Sequence, residues 1–117
     1  MSVSAIRTIT IAYSGDVTGT ESIVAATNLA SAGAVEIKTL AAGANTITVP
    51  TGGTVPTAVT IVPPTGNTQT LVLKGVTGDT GIGLHLTDPS TIALAGSTAA
   101  FCLTAGNTIT GLRLYWS

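Results

Sequence analysis

Hydrophobic and polar positions alternate along this chain in short runs, interrupted about every ten residues by clusters of Gly, Pro, Asn and Ser. Alternation with period two puts successive side chains on opposite faces of a strand, and this spacing of breaks belongs to a sandwich or barrel. It predicts strands near Ala5–Tyr13, Glu21–Thr27, Ala34–Leu40, Thr46–Val49 and Thr57–Val62 in the first half. Five more follow near Thr68–Lys74, Ile82–Leu86, Thr91–Ala95, Ala99–Thr104 and Thr108–Trp116. One stretch competes as a helix, Glu21–Ser31, which is alanine-rich and has Thr20 as its N-cap.

The same alternation assigns faces. Leu112, Leu114 and Trp116 oppose Arg113 and Tyr115; Ile82, Leu84 and Leu86 oppose Gly83, His85 and Thr87. Val35 and Ile37 are expected inside, with Glu36 and Lys38 outside. Eight to ten short strands in 117 residues imply an all-β fold, a single antiparallel β-sandwich domain over 1–117, jelly-roll-like. Ala42–Thr48 and Ala105–Thr110 echo each other, and read as two turn-then-strand entries using Gly and Asn for positive φ rather than as a duplication.

Composition narrows the function classes. Charged residues make up 8% of the chain, against roughly 25% in ordinary soluble domains. The net charge of −1 comes from four basic and five acidic residues, while threonine occurs 23 times. A surface so poor in charge, with a positive mean hydropathy, is prone to association and is expected to be covered in part by partner subunits. Arg7, Lys38, Lys74 and Arg113 are scattered, so no phosphate-binding cluster forms and nucleic acid is not an expected partner. Thr39–Leu73 carries no charge but contains Pro50, Pro56, Pro63 and Pro64, which excludes a spanning helix of about 20 residues. Four aromatics are too few for the girdles of a membrane barrel. The N-terminal segment lacks the continuous apolar core of a signal peptide, and the single Cys102 cannot form an internal disulfide. Synthesis in a cytoplasm is expected.

Candidate chemistry is sparse. His85, with Asp79 and Asp88 nearby in sequence, invites a metal or general-base reading, yet zinc needs three or four ligands and a catalytic His needs a nucleophile and an orienter. Exposure on the polar face of a strand is the expectation. Gly75–Gly83 is glycine-rich but lacks the Lys-Ser/Thr of a phosphate loop and reads as a hairpin loop; a calcium site at Asp79 would need six to eight oxygens. Cys102 reads as small and buried, and Asp16 and Glu21 as solvated turn residues. No catalytic, cofactor or metal residue is therefore assigned, and no enzyme is expected. The final strand gathers Arg113, Tyr115 and Trp116, residue types that interfaces favour; these are the candidate oligomer or partner contacts, with a plain core strand as the alternative.

The strands Asn45–Pro50 and Ala58–Pro64, the segment Leu73–Ile82 and the closing Ile109–Leu114 together resemble small virion proteins of tailed bacteriophages. What the resemblance implies is a structural subunit that assembles with itself, commonly as a trimer, and with other virion proteins. Its place would be the capsid surface, as decoration, or the tail tip. Thr/Gly-rich β modules also occur in carbohydrate-binding and adhesin domains, which is the alternative reading; there Tyr13, Tyr115 and Trp116 would supply the aromatic platform.

Overall fold

The computed structural model describes residues 2–15, 19–30, 35–51 and 55–117, without the side chains of 2–5, 13 and 21–30. Among the described residues there are ten strands and no helix. They are β1 (Ser2–Tyr13), β2 (Gly19–Ala30), β3 (Val35–Leu40), β4 (Gly43–Thr48), β5 (Ala58–Val62), β6 (Leu71–Lys74), β7 (Ile82–Leu84), β8 (Ser90–Ala93), β9 (Ala100–Ala105) and β10 (Ile109–Trp116). Each expected strand is present with shifted ends. The stretch that competed as a helix is strand β2, paired along its whole length with β1.

Strands β3 to β10 form two four-stranded antiparallel sheets, ordered β3-β10-β5-β8 and β4-β9-β6-β7. Numbered from β3, these orders are first-eighth-third-sixth and second-seventh-fourth-fifth. That is the double Greek key of a jelly roll. β1 and β2 form a separate two-stranded sheet, so the hairpin belongs to neither face of the sandwich.

The two sheets meet through alternating inward residues. Leu40, Val59, Ile61, Ile109, Leu112, Leu114 and Trp116 from one sheet pack on Ile47, Leu71, Phe101, Leu103 and Ala105 from the other. Ile109 is three residues before Leu112, which strict alternation would place on the outside. Gly111 resolves this: its φ of +84° accompanies a one-residue register shift between Thr110 and Leu112 against β3. The resulting bulge keeps Ile109 opposite Leu40 and inside.

The face assignment of β3 is corrected. Glu36 and Lys38 lie opposite Leu114 and Leu112, so they share the core-facing side at the sheet edge and pair with each other at 3.2 Å. Val35 and Ile37 look outward, Ile37 with 74% of its surface exposed. Alternation fixes which residues share a face but not which face is the core. Two charges at the border of the sandwich can reach water past the edge, and Leu40 continues their row into the core. Of the two Gly/Asn turns expected to use positive φ, the first does so at Gly43, whereas neither Gly106 nor Asn107 of the second does. Asn45 acts instead through its side chain, accepting from the Ala41 N–H and donating to the carbonyls of Ala41, Gly43 and Leu103.

Gly111→Ala should cost about 1–2 kcal/mol in urea denaturation, the penalty of a left-handed backbone for a residue with a Cβ. Deleting Gly111, which would turn Ile109 outward, should cost more than this substitution.

Candidate functional site

The sequence nominates Arg113, Tyr115 and Trp116, and β10 separates them by its pleat. Trp116 points inward and is 2% exposed. Its ring is tilted against Phe101 of the facing sheet, centroids 6.3 Å apart, a separation at which aromatic pairs attract. Its buried indole N–H has no hydrogen-bond partner among the described residues, so this side chain stabilises by apolar contact alone. Trp116 is a core residue and offers no surface to a sugar or a partner.

Arg113 and Tyr115 face outward on the same strand. The guanidinium carbon lies 5.9 Å from the Tyr115 ring centroid, and Nη1 donates to the phenol oxygen at 3.3 Å. Across the register Tyr115 is opposite Val35 on one side and Thr60 on the other, and Arg113 is opposite Ile37 and Val62. Directly opposed residues share a face. The outer side of β3 and β10 therefore presents Val35, Ile37 and Tyr115 as an exposed apolar strip with Arg113 among them. The sequence hides this strip, because alternation alone does not say which face of β3 meets the core.

A second exposed apolar region lies on the hairpin. Ile6 is on one face of β1, and Ile9 and Ile11 on the other, all exposed. Arg7 Nη1 donates to Ser117 Oγ at 3.0 Å, tying the hairpin to the end of β10. Ser117 is itself fixed: its carbonyl accepts from the N–H groups of Thr57 and Ala58, and its N–H donates to the Ala58 carbonyl. The hairpin and the β3–β10 strip thus meet the same corner of the sandwich.

The groups considered for chemistry are dispersed or already engaged. His85 is exposed, as expected, but in the turn after β7 rather than within a strand. Its Nδ1 accepts from the backbone N–H groups of Thr87 (3.2 Å) and Asp88 (2.9 Å). The Asp88 carboxylate lies 3.7 Å from the same nitrogen. Asp79 Oδ2 accepts from Gly75 and Val76 N–H, closing the glycine-rich β6–β7 loop, the hairpin loop that its sequence predicts. Cys102 is buried on the outer side of β9, opposite Thr46 and Lys74, at the floor of a 200 Å³ hollow. Asp16 lies outside the described residues, as do the side chains of Glu21 and Tyr13. Among the described residues no three His, Cys, Asp or Glu side chains are grouped to hold a metal ion.

A cleft of about 380 Å³ opens where the sheets part, between β6–β7 and β8, walled by Leu73, Ile82, Ile92, Leu94 and Phe101 and bordered by Lys74 and Asp79. Ligand sites of this size set a few convergent polar groups in apolar walls. Here the Asp79 carboxylate is held by its own loop. No described helix is long and apolar enough to cross a membrane. Comparison with protein families, curated proteins and solved structures finds no match to this chain.

Iodide should quench the Trp116 fluorescence of the folded chain only weakly, and denaturation should restore full quenching. Trp116→Ala should lower stability by about 3–5 kcal/mol in urea melts, as loss of a buried large aromatic does.

Proposed function

We propose that the chain is a non-enzymatic structural subunit of a tailed-phage virion. Made in the host cytoplasm, it assembles as a symmetric oligomer, a trimer being favoured, and sits with other virion proteins on the capsid surface or at the tail tip. The reading starts from the sequence resemblance. One structural observation carries it further: a hairpin of two twelve-residue strands stands outside both sheets with isoleucines exposed on both faces of β1. A two-stranded hairpin is marginal in water unless something packs on it. An element of this kind is understandable in a subunit whose partners complete it.

The low charge supports the same reading. With four cations and five anions in 117 residues, identical copies repel one another weakly. Burial in subunit contacts contributes about 25 cal/mol per Å² before the costs of association. The mechanism is mechanical: each copy seals or braces a joint by covering apolar area, and no bond is made or broken. The carbohydrate-binding alternative has less to stand on, because Trp116 is in the core and, among the described side chains, Tyr115 is the one aromatic exposed beside a polar partner.

Immunogold labelling of the particle that copurifies with the chain tests the proposal. Gold spread over heads is the result expected of a decoration protein, and gold at the tail end that of a tip subunit. Particles that bind no gold, with the chain recovered free, would contradict a virion role.

A further inference from the structure

We infer that the β1–β2 hairpin of one copy packs against the outer face of β3 and β10 of a second copy, so that subunits join hairpin to face. This rests on the reading of the chain as an assembling subunit and names the surfaces that meet.

The chain exposes 6777 Å², whereas a compact monomer of its 11.5 kDa should expose about 5,800 Å². The excess, about 1,000 Å², is close to the roughly 800 Å² that each partner contributes to a standard protein interface. The radius of gyration agrees: 15.3 Å, against about 13.4 Å for a compact domain of this length.

Ile6 is 70% exposed and Ile37 74%, and Ile11, Val35 and Tyr115 accompany them. Arg7 and Ser117 hold the hairpin to the end of β10, yet both apolar regions stay uncovered within the single chain. A second copy supplies each region with the other. Each surface carries one cation among the described side chains, Arg7 on the hairpin and Arg113 on the face, both beside neutral partners, Ser117 and Tyr115, so like-charge repulsion between copies is limited to that pair.

A strand added to the free edge of β3 would bury Glu36 and Lys38, which turn toward the core side of that edge. Inward-pointing charges of this kind guard edges against strand addition. The outer face of β3 has no such guard. Because hairpin and face are different surfaces, the contact is heterologous, and it closes into a ring if the rotation between copies allows.

The test uses the full chain, with mass measured by size exclusion and light scattering across a concentration series. Ile37→Asp breaks the face, and Ile6→Asp with Ile11→Asp, one on each side of β1, breaks the hairpin whichever side it presents. Each should weaken self-association at least tenfold, while Ile82→Asp, exposed beside the cleft, should leave it unchanged. Mixing the face-broken and hairpin-broken chains should restore a dimer, because one good hairpin then meets one good face. Circular dichroism checks the fold of each variant, and Ile37→Ser replaces Ile37→Asp if the latter fails to fold. Two monomeric variants that do not rescue each other would overturn the hairpin-to-face pairing in favour of like-with-like contact. A wild-type oligomer indifferent to all the variants would overturn this inference and leave the assembling subunit standing. A wild type monomeric throughout would overturn both this inference and the homo-oligomer.

Discussion

The packing of β10 against β9 holds the rest of the sandwich in place. β10 lies between β3 and β5 in one sheet, and β9 between β4 and β6 in the other. Their inward rows, Ile109, Leu112, Leu114 and Trp116 against Phe101, Leu103 and Ala105, are all buried. Six of the eight sandwich strands are therefore β9, β10 or direct neighbours of one of them. The row on β10 is continuous only because Gly111 adopts a left-handed conformation and absorbs one residue. A backbone detail at one glycine thus decides whether the last strand presents three apolar side chains or four to the core.

That arrangement also dictates what is left on the outside. Once Leu112 and Leu114 face inward, register obliges Glu36 and Lys38 to share their side and Val35 and Ile37 to share the side of Arg113 and Tyr115. The exposed strip follows from the core rather than from any local preference for exposure. Together with the isoleucines of β1 and a chain-wide scarcity of charge, it gives a molecule whose own core leaves apolar area unsatisfied. The chemistry-bearing side chains serve local structure instead: Asp79 closes a loop and His85 braces a turn.

Much of this fold is legible in the sequence because period-two alternation and regular turn residues both survive folding. The strands and the sandwich follow from them, whereas the Greek-key order that makes it a jelly roll is set by the pairing of strands distant in sequence. What alternation cannot say is which of its two faces meets the core when a strand lies at an edge, as Val35 and Ile37 of β3 show. It also cannot reveal a bulge, since Gly111 looks like any strand glycine until the register is known. At the candidate site, Arg113 and Tyr115 are exposed and adjacent as an interface would need, whereas Trp116 belongs to the core. Residue type alone nominated all three. The signal that could have separated them was present, because Trp116 shares its face with Leu112 and Leu114.

The central claim is that the sandwich is complete in one chain while the hairpin is completed by another copy. Hydrogen–deuterium exchange, followed from dilute to concentrated protein, tests it most directly. Amides of β5, β9 and β10 should be protected at every concentration, whereas those of β1 and β2 should exchange quickly when dilute and slow down as subunits associate. Hairpin amides as protected as those of β10 in chains too dilute to associate would contradict it.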